Sequence, residues 1–287
     1  MYRPEHVEAW RRITSFVHQR SRAKIGLQLG HAGRKGSTAV PWEGGAPLTE
    51  GAWPLVAPSP IAYREGWPVP LELDRAGMDA VRDAFVRAAR LADDAGFDLL
   101  ELHCAHGYLL GSFLSPLTNA RSDEYGGGIE GRARFPLEVF TAMRAAWPAR
   151  KPMSVRVSAT DWHEGGITDE DVLAFTAALK RAGCDLIDVS TGMTVADQKP
   201  LYGRMFQAPW SELIRNEVGV PTITVGAVTT ADQVNTLVAS GRADLCALAR
   251  PHLADPFWTL HAAAQQLWDA QPWPAQYELG RPPPTRR

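Results

Sequence analysis

His103 and His106 lie three residues apart and Tyr108 follows two further on, within His103-Cys104-Ala105-His106-Gly107-Tyr108-Leu109. The stretch comes directly after the apolar run from Phe97 to Leu102, where a parallel strand would end and open into a loop. Two imidazoles can give one carbonyl oxygen two hydrogen-bond donors, and a phenol beside them is a proton source. That set suits polarising and protonating a conjugated carbonyl compound. A histidine pair can also be structural or bind a metal, and a tyrosine can be a half-buried amphipathic residue. No Asp, Glu or Cys at ligand spacing accompanies this pair, so no metal site is expected. Arg156, in Ser154-Val155-Arg156-Val157-Ser158, puts a charge into a β-rich run. Such a charge needs an anion, either a ligand or a buried carboxylate.

Short apolar runs alternate with longer helical patterns, which argues for an α/β chain of βα units around a parallel sheet. The candidate strands are 24–29, 98–103, 153–158, 186–190, 222–226 and 244–249; the candidate helices are 4–19, 75–95, 131–147, 169–182, 210–217, 231–240 and 256–270. Thr168-Asp169-Glu170-Asp171 supplies capping oxygens and first-turn negative charge. Ala95-Gly96 and Ala182-Gly183 each stop a helix before an apolar run. The segment 37–74 is long for a βα connection and rich in Pro, Gly and Trp. It is either a lid or rim over a substrate, or an ordered surface loop or dimer contact. Residues 280–287 read as a frayed end.

The histidine motif and the following Phe113-Leu114-Ser115-Pro116 resemble the old yellow enzyme family of flavin-dependent reductases. The likeness continues in Ile25-Gly26-Leu27-Gln28-Leu29-Gly30-His31-Ala32-Gly33-Arg34-Lys35, in the strand around Arg156, and from Gly241-Arg242-Ala243-Asp244 to Ala249-Arg250-Pro251. Within the family, the segments from Lys199 to Gln207 and from Cys246 to Pro256 are most similar to the carboxyl-terminal reductase half of two-part flavoproteins of the salicylyl-CoA 5-hydroxylase and anthraniloyl-CoA monooxygenase type. The resemblance implies a TIM (β/α)8-type barrel. Only six βα units are present and the chain opens on a helix, so residues 1–287 are expected to form one FMN-binding domain, N-terminally incomplete and lacking the first two strands. Such an opening would expose two sheet edges and apolar interior side chains.

In a parallel barrel the carboxyl ends of all strands share one rim, so Gln28, His31, His103, His106, Tyr108, Arg156, Gly226 and Arg250 should converge there. The loops after the last two strands form the usual phosphate site of such barrels. Here they carry Gly226, Ala227, Ala249 and Arg250. The resemblance then implies these roles: Arg250 on the FMN phosphate, Arg156 near the flavin N1/O2 region, Gln28 at the ring edge, His103 and His106 on the substrate carbonyl, and Tyr108 as proton donor. NADH or NADPH is the implied reductant, and an enone or a dearomatised aryl-CoA the implied substrate. Arg34 and Lys35 either meet an anionic ligand or are plain rim charges. Ala249 stands where many members carry glycine, and Leu279 replaces an arginine of a terminal Gln-Tyr-Glu-Arg-Gly segment that reaches a neighbouring subunit in one subgroup.

Composition narrows the partners. The 287 residues, 45% hydrophobic and 22% charged, suffice for a large core, and a formal charge of −2 gives no basic field for nucleic acid. No run of about 18 apolar residues could span a bilayer. Cys104, Cys184 and Cys246 fit neither a disulfide framework nor a zinc spacing, and with no apolar signal segment a cytoplasmic location is expected. A fused or separate FAD monooxygenase domain and a homo-oligomer are the protein partners the resemblance allows. Two other readings stay open: a metal-assisted lyase or hydrolase on the same barrel, and a non-catalytic fragment of a larger flavoprotein.

Overall fold

The computed structural model describes residues 1–281. Its strands are β1 (Gly26–Leu29), β2 (Val56–Ala57), β3 (Leu71–Glu72), β4 (Leu99–Cys104), β5 (Met153–Ser158), β6 (Leu186–Ser190), β7 (Thr222–Thr224) and β8 (Leu245–Cys246). Its helices are α1 (Glu5–Arg20), α2 (Arg75–Asp94), α3 (Leu109–Leu114), α4 (Ile129–Ala146), α5 (Asp169–Arg181), α6 (Ala208–Val218), α7 (Ala231–Ala239), α8 (Arg250–Ala254) and α9 (Trp258–Gln265). Six strands form one parallel sheet in the order β1-β4-β5-β6-β7-β8, as the alternating pattern predicts. The sheet is not closed into a barrel among the described residues: β1 pairs only with β4, and β8 only with β7.

The two faces of the sheet differ in chemistry because side chains alternate along each strand. One face carries Leu100, Leu102, Val155, Val157, Ile187 and Val189, all buried against the helices. Phe85, Phe135, Val139, Phe140, Met143, Phe175 and Leu179 of α2, α4 and α5 complete that core. The other face is polar. Gln28, Glu101 and Ser154 share one register row, and His103, Arg156 and Asp188 share the next. Glu101 accepts hydrogen bonds from Gln28 Nε2 at 2.7 Å and from Ser154 Oγ at 2.9 Å. The expected apolar interior is therefore found only in part. At the open β1 edge the inward side chain is Gln28, whereas Leu245 on β8 is 53% exposed.

Local signals explain most element ends. Thr168 forms a capping box with Asp171, Thr230 forms one with Gln233, and Gly96 and Gly183 take φ of +86° and +90° just past their helices. Two expectations need correction, and one element was missed. The strand expected over 244–249 stops at Cys246, because the chain turns at Ala249 into α8 with Pro251 at its start. The helix expected over 256–270 begins only at Trp258 and ends at Gln265. The short helix α3 was not foreseen: all six of its residues are buried, so it shows no amphipathic period.

The segment 37–74 is an ordered body. It holds a 3₁₀ turn at Pro41–Glu43 and the parallel pair β2–β3. The buried guanidinium of Arg34 donates to the carbonyls of Ile61 and Ala62 in this segment and of Thr194 beyond β6. Of the expected frayed end, Gly280 closes a 3₁₀ turn, Ala275–Gly280, and 282–287 lie outside the described residues.

Phe140 lies fully buried where α4 meets the sheet. Replacing it with alanine is expected to cost about 3–5 kcal/mol, read as a lower urea midpoint at unchanged slope; a loss below about 1 kcal/mol would contradict this packing.

Candidate active site

The loop after β4 carries the histidines, and the backbone gives it its shape. His106 and Gly107 both have positive φ, +58° and +65°. A Cβ at Gly107 would lie 2.7 Å from Thr194 Cα, so glycine alone lets this loop touch the one after β6. The His106 N–H donates to Ser158 Oγ at 2.9 Å, and that hydroxyl donates to the Gly192 carbonyl at 3.0 Å. Lys35 Nζ adds bonds to the carbonyls of His106 (3.0 Å) and Met193 (2.8 Å). Three strand ends are thereby held together around His106.

The imidazoles face each other. His103 Nε2 and His106 Nδ1 are 3.1 Å apart, and His106 Nε2 is 2.7 Å from Ser190 Oγ. The Tyr108 ring lies 5.0 Å from that of His103, centroid to centroid, with the Lys35 ammonium 5.2 Å from its own centre. Burial, then the nearby Arg156, lower the pKa of His103 to about 4 and of His106 to about 3. Both rings are neutral at pH 7. Burial, then Arg34 and Arg64, bring Lys35 down to about 8.

Arg156 has the buried carboxylate that a structural reading requires. Its Nε is 3.4 Å from Asp188 Oδ2, yet the two are not aligned for a hydrogen bond, and Arg156 Nε and Asp188 Oδ1 are both buried without a partner. Burial, opposed by Arg156 and reinforced by Glu101, pushes Asp188 up to about 7. Gln28 lies on edge strand β1, bonded to Glu101. His31 accepts the N–H of Gly33 at 3.0 Å.

Beside His106 opens a cavity of about 890 Å³. Of the sequence-predicted residues, His106, Gly226, Ala227, Ala249 and Arg250 line it. His103 and Tyr108 stand behind His106, with Arg156 in the same register row as His103, while Gln28 is not in the wall. Sequence reasoning assigned no role to Trp162, Ser190, Thr191, Arg204, Phe206 or Gln207, which also line the cavity. Asp188 was missed as well; its signal was the one acid in the apolar run Leu186–Ser190. The wall contains two arginines, Arg204 and Arg250, and no carboxylate. At Gly226 φ is +108°, and a Cβ there would come within 2.5 Å of Gln207 Nε2, so the loop can expose backbone at close range. A volume near the top of the usual ligand range, a backbone cradle and fixed positive charge suit a phosphorylated planar cofactor such as FMN. Among the described residues no three His, Cys, Asp or Glu side chains stand together to hold a metal ion, and no helix is long and apolar enough to cross a membrane.

A parallel α/β sheet that gathers neutral imidazoles and a phosphate-suited cavity at its strand ends has the form of a nucleotide-cofactor enzyme. The chain belongs to the NADH:flavin oxidoreductase / NADH oxidase family, whose model matches residues 1–268. It is 41% identical over 276 residues to an NADPH dehydrogenase of Geobacillus thermodenitrificans, covering 96% of this chain and 76% of that protein. Its fold matches histamine dehydrogenase from Rhizobium sp. 4-9 (TM-score 0.75, 31% identity, 90% of this chain and 37% of that one). It also matches the old yellow enzyme homologue from Zymomonas mobilis (TM-score 0.69, 25% identity, 87% and 69%). It is an FMN-dependent NAD(P)H oxidoreductase of the old yellow enzyme type with a small-molecule substrate.

Asp188 gives the site a pH signature. Its folded pKa of about 7 lies above the value of about 4 for a free carboxyl, so the folded state holds the proton more tightly. Its contribution to stability is complete below about pH 4 and is lost as the pH rises to about 7. Asp188→Asn, which cannot ionise, is expected to lose less stability than the native protein between about pH 5 and about pH 8. Equal slopes of urea midpoint against pH would refute the buried-proton reading.

Proposed function

We propose that this oxidoreductase reduces the carbon–carbon double bond of an α,β-unsaturated carbonyl compound or a dearomatised aryl-CoA thioester. The observation that carries the reading is the pair of neutral imidazoles 3.1 Å apart, with Tyr108 alongside and His106 in the cavity wall. When bound, FMN would supply the hydride chemistry that links NADH or NADPH oxidation to reduction of the substrate's β-carbon. The protein does the rest. Arg250 and the backbone of Gly226, Ala227 and Ala249 would hold the phosphate and Arg156 would put positive charge toward the flavin N1/O2 region, while Gln28, outside the cavity wall, would have to leave Glu101 to reach the ring edge. His103 and His106 bind the substrate carbonyl oxygen and stabilise the charge that grows there, and Tyr108 protonates the α-carbon.

The aryl thioester is favoured by the cavity's far wall. Trp162, Tyr202 and Phe206 cluster there, with the rings of Tyr202 and Phe206 edge to face 5.4 Å apart, beside Arg204. Most of that wall comes from the segment Lys199 to Gln207, where the sequence resembles reductases of aryl-CoA compounds. A fused or separate FAD monooxygenase domain would supply the dearomatised intermediate, in the cytoplasm. Residues 1–287 act as one FMN-binding domain.

Two measurements test this reading. Added FMN should bind with the flavin absorbance perturbed, and Arg250→Ala should weaken binding. Tyr108→Phe should slow the oxidative half-reaction with an enone by about 100-fold or more while sparing flavin reduction by NAD(P)H. Stopped-flow traces with both halves unchanged would remove Tyr108 from the mechanism.

A further inference from the structure

A single directed hydrogen-bond chain runs through the two histidines. The backbone N–H of Ala105 donates to His103 Nδ1 at 3.2 Å, so the proton of this neutral ring lies on Nε2. That proton points at His106 Nδ1, 3.1 Å away, so the His106 proton lies on Nε2 and points at Ser190 Oγ, 2.7 Å away. Ser190 Oγ in turn donates to Gln207 Oε1 at 3.2 Å, and Gln207 Nε2 donates to the Val225 carbonyl at 2.9 Å. Each link leaves the next only one direction. In this resting arrangement His106 presents a bare Nδ1 and cannot donate to a carbonyl oxygen.

We propose that Ser190 is a positioning residue that sets the tautomer of His106 and reverses its own hydrogen bond when a substrate oxygen enters between the imidazoles. With an oxygen there, the two nitrogens part from their 3.1 Å contact, His103 keeps its donor on Nε2 and His106 must carry its proton on Nδ1. His106 Nε2 then becomes an acceptor, and the Ser190 hydroxyl turns from Gln207 to donate to it. The proton leaving Nε2 passes to water and one from water joins Nδ1, so none is gained or lost overall. The hydroxyl is suited to this because it alone in the chain is both donor and acceptor by rotation. Its departure leaves no orphan on Gln207, whose Oε1 still accepts the closer hydroxyl of Thr191 at 2.7 Å. Thr191 is itself fixed by the indole N–H of Trp162 at 2.9 Å. The charges facing His106, namely Arg156 from β5 and Lys35 from the loop after β1, are both positive. They disfavour the other way of making two donors, an imidazolium.

The inference rests on the proposed binding of a carbonyl oxygen by the two histidines. The probe is 2,4-dinitrophenolate, an oxyanion that stays ionised near neutral pH, added to FMN-loaded protein carrying ¹⁵N-histidine. In the native protein, the ¹⁵N signals of His106 should exchange character on binding, Nε2 from protonated to bare and Nδ1 the reverse, with no net proton uptake. In Ser190→Ala no hydroxyl can serve the bare Nε2, so binding should take up about one proton and become weaker by about tenfold per pH unit above neutrality. Ser190→Thr should restore the native behaviour. Binding that leaves the His106 proton on Nε2 in the native protein overturns the role of Ser190 and spares the site. If the phenolate fails to perturb the flavin spectrum, and His103→Ala changes nothing, the carbonyl-binding reading falls with it. Should Ser190→Ala not fold, the native ¹⁵N signature alone decides.

Discussion

The contact between Gly107 and the backbone of Thr194 is the constraint on which the site depends. Without a Cβ at position 107, the loop after β4 closes onto the loop after β6. That closure puts His106 within reach of Ser190 on one strand end and Ser158 on another. It also places the carbonyls of His106 and Met193 so that one ammonium, Lys35, serves both. A side chain of any size at residue 107 would separate the loops and undo all four bonds together. The positive φ of His106 is held by the same bonds, which is how a non-glycine residue keeps a conformation that costs it energy.

The closed loops bury polar groups, and the electrostatics follow from that burial. Burial keeps the imidazoles uncharged, and Arg156 and Lys35 beside them act in the same direction. The cavity wall adds Arg204 and Arg250 and no carboxylate. The acids lie deeper, on the polar face of the sheet: Glu101 satisfied by Gln28 and Ser154, and Asp188 beside Arg156. An interior with cations toward the opening and acids behind favours negative charge that appears at the mouth, whether on a phosphate or on a substrate oxygen.

What the sequence made legible was whatever sits close together along the chain. His103, His106 and Tyr108 share one loop, so their partnership was visible, and the six strands were visible because parallel strands are short apolar runs between amphipathic helices. The capping boxes at Thr168 and Thr230 are equally local. Ser190, Gln207 and Asp188 were not legible, since each gains meaning only from a residue on another strand end that topology brings alongside. Arg156 marks the boundary: its need for an anion could be read, but not that Asp188, on the neighbouring strand, would meet it. The helix α3 was hidden for the opposite reason, being too short and too uniformly apolar to show a period.

Arg34 ties the segment 37–74 to the loop after β6 through three main-chain carbonyls. Every residue type supplies that same oxygen, so the clamp places no demand on the side chains at Ile61, Ala62 or Thr194. The outer body can therefore diversify in sequence at those three positions while Arg34 keeps it joined to the loop after β6.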